Sequence, residues 1–401
     1  MKYLYNILMV VALPLALLRL LWRSRHNPDY RKHWNQRLAL AFADSEGAIW
    51  IHTVSVGEFR ATLPLIEALL AAEENLLITT TTPTGAATAR EALAGRAALQ
   101  YLPFDAPFLV KRFLNATRPR LAVFVETEIW ANYLQALKQR STPALLINAR
   151  LSARSLAGYQ KLGAFGREAI GNFSEIACQN HESCQRFLSL GAKASVVGNI
   201  KFDLQKPADL PAQQAQLRAK IGSRPFIIAA STHKGEEAML LEAYQHSAEQ
   251  RLLVIAPRHP ERTDEVATVA QKLGLTAARY TQTSALSDDT AVLIVDCLGQ
   301  LLPMYSLADY AVIGGSFVAH GGHNPLEAAL FATPCVIGEH HFNFEALINA
   351  MQAENAIEVI TVDAVFKRAP SPDIGQQAQR FLADNQGATG RYFNLIQRLA
   401  S

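Results

Sequence analysis

The segment at 314–328, GGSFVAHGGHNPLEA, combines a glycine-rich loop with the start of a helix. Its glycines permit close backbone approach, and Asn324 and Pro325 can open a helix whose first turn holds Glu327. A helix N-terminus behind such a loop binds phosphate, and a carboxylate in that turn can accept hydrogen bonds from ribose hydroxyls. The segment therefore predicts nucleotide-sugar binding. The alternative is that Glu327 only complements the helix dipole.

A second segment of the same half, PRHPER at 257–262, follows an apolar strand. Arg258 and His259 would lie on a strand-end loop, where an arginine can neutralise a leaving phosphate. A surface salt bridge within the segment is the alternative. The sequence has no GxGxxG fingerprint, and TPTG at 82–85 lacks the GK[ST] ending of a phosphate-binding loop.

In the first half, Glu58 stands where an apolar strand turns into a helix. We expect a carboxylate at a helix start to keep a low pKa and its charge. Such a group can take the proton of a sugar hydroxyl as that hydroxyl attacks an anomeric carbon. The competing interpretation is a helix cap.

Two more strand ends of the first half carry charge. Glu126 and Glu128 follow the apolar run 121–125, and their side chains would face opposite sides if the strand persisted. Lys201, in GNIKFD at 198–203, follows another strand. Solvated surface charge is the alternative for each of the three.

The elements that must position these residues are apolar, β-rich runs that alternate with helical stretches from residue 48 onward. This pattern predicts parallel sheets covered on both faces, with ligands at the carboxyl ends of the strands. It breaks in a segment rich in proline and glutamine and then restarts. We therefore predict an α/β protein with two doubly wound Rossmann-like domains, at 26–203 and 225–401, joined by a linker at 204–224.

The N-terminus is different, because residues 3–22 are almost wholly apolar and long enough to cross a bilayer. A basic tract that prefers the anionic cytoplasmic leaflet follows: Arg19, Arg23, Arg25, Arg31, Lys32 and Arg37. We predict a retained membrane-anchor helix at 1–25, either spanning or interfacial. A removable signal peptide and a helix buried in a partner are the alternatives.

Composition supports this organisation. Of the 401 residues, 50% are hydrophobic and 18% are charged, which excludes a disordered chain. The net charge of +3 is too small to indicate a nucleic-acid partner by itself. The cysteines form no CxxC pair, so neither a zinc site nor a disulfide framework is indicated, and a cytoplasmic compartment is expected: Cys178, Cys184, Cys297 and Cys335.

The order of the motifs HTVSVGE, TPTG, ETEIW, NARLSARS, GNIKFD, STHKGEE, PRHPER and GGHNPLEA closely resembles the 3-deoxy-D-manno-octulosonic acid (Kdo) transferase family over nearly the whole chain. The resemblance implies a GT-B fold and a glycosyltransferase of the bacterial inner membrane. It also implies CMP-Kdo as donor and lipid IVA, the tetraacylated lipid A precursor, as acceptor. Neither a metal nor another cofactor is expected.

The resemblance also implies roles for individual residues in an inverting single displacement. Glu58 corresponds to the general base, and Glu128 and Lys201 to transition-state stabilisers. The implied CMP site comprises nine residues: Arg258, His259, Gly299, Gln300, Leu301, Asn324, Pro325, Leu326 and Glu327.

Three positions depart from the family pattern: Gln36 and Gln300 stand where glutamate is usual, and Ala131 stands where proline is usual. The first two bear on acceptor fit and donor affinity. Two other functions stay open, a nucleotide-sugar epimerase on the same fold and a non-enzymatic membrane protein that binds lipid or a partner. The membrane anchor argues against the epimerase.

Overall fold

A computed structural model describes residues 1–400 as two compact units, residues 1–203 with those from 386 onward, and residues 204–385. Each unit contains one seven-stranded sheet in which all neighbouring strands are parallel. The two predicted doubly wound sheets are therefore both present.

The first unit has the strand order β3-β2-β1-β4-β5-β6-β7. Its strands are β1 (Ile49–His52), β2 (Leu76–Thr80), β3 (Ala98–Tyr101), β4 (Leu121–Val125), β5 (Ala144–Ala149), β6 (Glu175–Cys178) and β7 (Ala194–Val196). Its helices are α1 (Lys2–Arg23), α2 (Trp34–Arg37), α3 (Val56–Ala71), α4 (Pro83–Leu93), α5 (Pro107–Thr117), α6 (Ala131–Gln139), α7 (Ala153–Lys161), α8 (Ala164–Gly171) and α9 (His181–Ser189), with 3-10 turns at Pro28–Arg31 and Ile200–Phe202.

The second unit has the order β10-β11-β9-β8-β12-β13-β14. Its strands are β8 (Phe226–Thr232), β9 (Leu252–Pro257), β10 (Ala277–Arg279), β11 (Val292–Ile294), β12 (Tyr310–Ile313), β13 (Cys335–Ile337) and β14 (Glu358–Val359). Its helices are α10 (Leu210–Ile221), α11 (Glu236–Gln245), α12 (Thr263–Lys272), α13 (Leu301–Tyr305), α14 (Leu326–Ala329), α15 (Glu345–Ala353) and α16 (Pro372–Asn385), with 3-10 turns at Pro260–Arg262 and Val362–Ala364.

In each sheet the direction of winding reverses at one strand pair, β1 and β4 in the first unit and β8 and β12 in the second. Open α/β sheets bind ligands at such a switch point, beyond the carboxyl ends of the strands. The central strands are wholly buried, as their apolar sequences predicted. These buried strands hold the loops that follow them in fixed positions.

The structure divides the chain differently from the predicted boundaries. The predicted linker contains α10, which belongs to the second unit and buries Leu210, Leu217 and Ile221. The end of the predicted second domain, helix α17 (Ala388–Ala400), belongs to the first unit. There Tyr392 is fully buried and its hydroxyl donates to the Gly198 carbonyl oxygen over 2.7 Å. An amphipathic helix must bury its apolar stripe, but the stripe does not reveal which sheet will cover it.

Helix α1 lies along the first unit, and one of its faces is half-buried at a spacing of three and four residues. On that face the Tyr5 hydroxyl donates to an Asp105 carboxylate oxygen over 2.6 Å, and Leu13 packs against Ala106 and Leu109. The opposite face is exposed and apolar. By length and composition alone, α1 is the one helix within residues 1–400 that could cross a membrane.

Two candidate sites at the strand ends

Glu58 lies in the first turn of α3, beyond the end of β1. The Ser55 hydroxyl caps this helix by accepting from the Glu58 N–H, and the Glu58 carboxylate accepts from the Val54 N–H over 2.8 Å and the Ser55 hydroxyl over 3.1 Å. The alternative of a helix cap is therefore realised. It does not exclude a chemical role, because the cap fixes the position of the carboxylate.

The expected low pKa of Glu58 is wrong. Burial of the carboxyl group raises its pKa, and the nearby Glu126 carboxylate adds to this effect. The hydrogen bond from the Val54 N–H, the Ser55 hydroxyl and the charge of Lys201 lower the pKa but do not compensate. Desolvation therefore outweighs the stabilisation expected at a helix N-terminus.

Strand β4 ends at Val125, and Glu126 has a left-handed backbone with a φ of 62°. The alternation of side chains therefore stops before Glu128. Lys201, in the 3-10 turn Ile200–Phe202, places its Nζ 2.6 Å from Glu126 Oε1. The lysine cation pairs with Glu126, the acid to which no role was assigned.

Glu128 accepts a hydrogen bond from the Trp130 indole N–H over 2.8 Å. Burial raises its pKa to about 7, and the charges of Glu58 and Glu126 contribute. The His52 Nε2 atom lies 3.8 Å from Glu128 Oε2. Near neutral pH the Glu128 carboxyl group can therefore be either protonated or ionised, which suits a group that donates a hydrogen bond or a proton.

The first unit thus brings together Glu58, Glu128 and Lys201, as predicted, and adds Glu126. Glu58 follows β1, and Glu126 and Glu128 follow β4, the two strands of the switch point. Lys201 reaches this place through its ion pair with Glu126. Carboxyl groups held close together with raised pKa values are typical of acid–base sites.

In the second unit, a pocket at the ends of β8, β9 and β11 is lined by Arg258 and by the segment 299–301. The Tyr280 hydroxyl donates to Gln300 Oε1 over 2.9 Å, so the amide stands in a defined position. His259 is not among the residues that line this pocket, and its Nδ1 lies 3.4 Å from Glu261 Oε1 on the surface. The structure therefore joins four of the nine predicted CMP-site residues in one pocket: Arg258, Gly299, Gln300 and Leu301.

The glycine-rich loop follows β12. Gly314 has no room for a side chain, because a Cβ atom would lie 2.6 Å from the Ser231 carbonyl oxygen. Gly315, Gly321 and Gly322 have positive φ values of 70°, 95° and 75°, so the close approach and unusual dihedrals that we expected are both present. Glu327 lies in the first turn of the four-residue helix α14, as predicted. It is close enough to raise the pKa of Tyr305.

The backbone amides of this loop hold a carboxylate of the protein itself. Glu236, at the start of α11, is fully buried. One oxygen accepts from the Gly315 and His233 N–H groups over 2.7 and 2.9 Å, and the other accepts from the Ser316 and Phe317 N–H groups over 2.8 Å each. A ligand phosphate must therefore be held by other groups. We did not assign Glu236 a role from the sequence, although STHKGEE contains it.

Three histidines around this loop were also missed. The His233 and His323 Nε2 atoms are 2.8 Å apart, and the His233 and His320 rings are stacked with centroids 4.2 Å apart. Burial, with the neighbouring charges of His233 and Arg258, lowers the pKa of His323 to about 4. Arg258 thus connects the pocket to the glycine-rich loop. Within residues 1–400, no three His, Cys, Asp or Glu side chains form a group that could hold a metal ion.

Known proteins match the chain in sequence and in fold. A family model described as 3-deoxy-D-manno-octulosonic-acid transferase (kdotransferase) matches residues 32–204. The chain is 34% identical to the 3-deoxy-D-manno-octulosonic acid transferase of Haemophilus influenzae, with 99% of this chain and 98% of that protein covered. It is 35% identical to the enzyme of the same name from Bordetella pertussis, with 90% and 89% covered.

Among solved structures, a glycosyltransferase from Rickettsia africae superposes with a TM-score of 0.57 at 11% identity, covering 88% of this chain and 98% of that one. At this identity the likeness shows the fold alone. The predicted GT-B fold class is confirmed.

Proposed function

Because the chain belongs to the Kdo transferase family, we propose that it transfers Kdo from CMP-Kdo to lipid IVA with inversion at the anomeric carbon. The first unit takes the acceptor and the second takes the CMP group. The observation that carries this assignment is the group of Glu58, Glu126, Glu128 and Lys201 at the switch point of the first sheet.

Glu58 is the general base of this reaction. It takes the proton of the acceptor hydroxyl while the hydroxyl oxygen attacks the anomeric carbon, and the bond from that carbon to the phosphate oxygen breaks with its electron pair leaving on CMP. A raised pKa makes Glu58 a stronger base than an exposed carboxylate, and its cap interactions fix its direction. Glu128, held by the Trp130 indole, and Lys201 stabilise the charge that develops in the transition state.

The CMP group binds at the pocket of the second unit. Arg258 supplies a cation for the phosphate, and the segments at 299–301 and 324–327 hold the nucleoside. Gln300 donates and accepts hydrogen bonds through its amide, so the replacement of the usual glutamate keeps a polar group at this place.

We assign membrane association to α1. Its inner face contacts the first unit from Tyr5 to Leu13. Its exposed apolar face then lies in the membrane interface, on the cytoplasmic side of the inner membrane. A transmembrane course would separate the Tyr5 hydroxyl from Asp105, which follows β3 in the folded unit. An interfacial helix holds the enzyme against an acceptor that is itself embedded in the bilayer.

Incubation of the purified protein with CMP-Kdo and lipid IVA, followed by mass spectrometry, tests the proposal. We expect lipid IVA to gain at least one Kdo mass. The variant Glu58→Gln should give no transfer and bind CMP as the wild type does. Glu67→Gln, in the same helix but exposed and paired with Arg96, is the matched control and should be active. Retained transfer by Glu58→Gln would remove Glu58 from the role of base.

A further inference from the structure

A chain of polar side chains runs beneath the acid group of the first unit. The Trp50 indole N–H donates to the Thr79 hydroxyl oxygen over 2.7 Å, and this oxygen is 2.9 Å from His52 Nδ1. The other ring nitrogen, His52 Nε2, faces Glu128 Oε2 at 3.8 Å. Trp50, Thr79 and His52 are fully buried. The chain therefore connects the interior of the unit to one carboxyl group of its site.

At the end of this series of side chains, His52 Nε2 is buried and has no hydrogen-bond partner. A buried polar atom without a partner destabilises the folded state. Burial also lowers the pKa of His52 to about 3, so the ring is neutral across the physiological range. A neutral imidazole has one N–H and one bare nitrogen, and the position of its single proton decides what Nε2 can do.

Thr79 can serve either form of that neutral ring. Its carbonyl oxygen lies 3.2 Å from His52 Nδ1 and can accept from an Nδ1–H, whereas its hydroxyl can donate to a bare Nδ1. In the first form Nε2 is bare and accepts only from a protonated Glu128. In the second form Nε2 carries the hydrogen and donates to a Glu128 carboxylate.

We propose that His52 is a positioning residue for Glu128, a neutral ring that changes tautomer when Glu128 changes its protonation state and closes the 3.8 Å gap to a hydrogen bond in both states. The change from protonated Glu128 with His52 Nδ1–H to ionised Glu128 with His52 Nε2–H releases one proton in total. The Trp130 indole N–H donates to the same oxygen, Glu128 Oε2, in either state.

Several titratable groups face Glu128 and bias this equilibrium. The charges of Glu58 and Glu126 favour its protonated form, and Tyr159 on α7 is close enough to be affected by it. Lys201 is paired with Glu126 and so reduces the repulsion from that neighbour. Because His52 stays neutral, it adds no charge to this group, and it can hold Glu128 without fixing its protonation state.

The direct test is nitrogen NMR of the histidine-labelled full chain, with His52→Asn to assign the ring signals. We expect the His52 ring to stay neutral from about pH 5.5 to 8.5 and to change tautomer with a midpoint near that of Glu128, roughly pH 7. The change should be absent in Glu128→Gln. One tautomer throughout, or a doubly protonated ring within this pH range, would overturn the proposal.

Kinetics supply a second test, which rests on the proposed transfer reaction. His52→Asn keeps a polar atom near Thr79 but leaves the side of Glu128 empty, so kcat should fall roughly tenfold to a hundredfold with little change in the KM for CMP-Kdo. His52→Gln reaches toward Glu128 with its amide and should recover most of that loss. Equal kcat values for His52→Asn and wild type would contradict the role.

The two tests fail separately. If the wild type does not transfer Kdo at all, the proposed reaction is wrong, but the NMR titration still decides the behaviour of His52. Thr79→Val covers the case in which His52→Asn does not fold. It removes the hydroxyl and keeps the carbonyl, so it should leave only the Nδ1–H tautomer at every pH, and a tautomer change in this variant would also refute the mechanism.

Discussion

Replacement of Glu236 by glutamine should release the glycine-rich loop of the second unit. The wild-type carboxylate accepts four backbone N–H groups, from His233, Gly315, Ser316 and Phe317. Glutamine keeps one accepting oxygen and turns an NH2 group toward the others, so about two buried N–H groups lose their acceptor.

Each such loss costs about 1–3 kcal/mol, and the two together cost about 2–6 kcal/mol. At 1.4 kcal/mol for each factor of ten, the loop should open roughly thirty to twenty thousand times more often. Hydrogen–deuterium exchange followed by mass spectrometry measures this opening in peptides that cover residues 314–323. A local measurement is needed because a chain with two units need not unfold in one step.

Glu237→Gln is the matched control. Glu237 is the next residue of α11 and is also buried, but it accepts from Arg262 and from the Thr232 hydroxyl rather than from the loop amides. Its variant should exchange at the wild-type rate in residues 314–323. If Glu236→Gln also exchanges there at the wild-type rate, the carboxylate does not hold the loop.

Three more predictions concern other parts of the chain. Because the pKa of Glu128 is raised to about 7, the folded chain binds this proton more tightly than the unfolded chain. The contribution of Glu128 to the free energy of unfolding of the first unit should therefore fall by roughly 3 kcal/mol as pH rises from 4.5 through 7, and the pH dependence in denaturant titrations of that unit should be smaller by this amount in Glu128→Gln. Arg258→Ala should weaken CMP binding about tenfold or more in calorimetry, whereas Ala at the exposed Arg368 should not, and equal affinities would exclude Arg258 from the phosphate site. Aspartates at Leu8 and Val11, on the exposed face of α1, should release the protein from anionic vesicles in sedimentation, because they remove apolar contact and add charge repulsion, whereas Leu188→Asp in the same unit should not. Unchanged sedimentation would exclude that face as the membrane contact.

The sequence predicts both sheets, because buried parallel strands are apolar without interruption and their helices are amphipathic. It does not predict the short edge strands β3 and β10, whose residues are partly exposed and carry no clear pattern. It also assigns α10 to the linker and α17 to the second domain, because an apolar stripe shows that a helix is packed but not which sheet covers it. The order of the motifs identifies a transferase rather than an epimerase, a distinction that the fold alone does not make.

In the candidate site, the sequence places the acids but not their electrostatics. The raised pKa of Glu58 depends on burial in the folded unit, and Lys201 pairs with Glu126, whose backbone is left-handed after β4. Glu236 and His52 were missed because the role of each depends on contacts with residues that are distant in the sequence. The motifs that contain them, STHKGEE and HTVSVGE, were the available signal.

The return of α17 to the first unit has a consequence for synthesis on the ribosome. Domains generally fold as they emerge, beginning with the N-terminal one. Here the first unit emerges first but lacks Tyr392 and Ile396, which lie in its core, until α17 has been made. The second unit is complete by residue 385 and is therefore free to fold earlier. A chain that stops shortly after residue 385 should retain the second unit and expose the apolar surface of the first, and such truncated products are expected substrates for proteases.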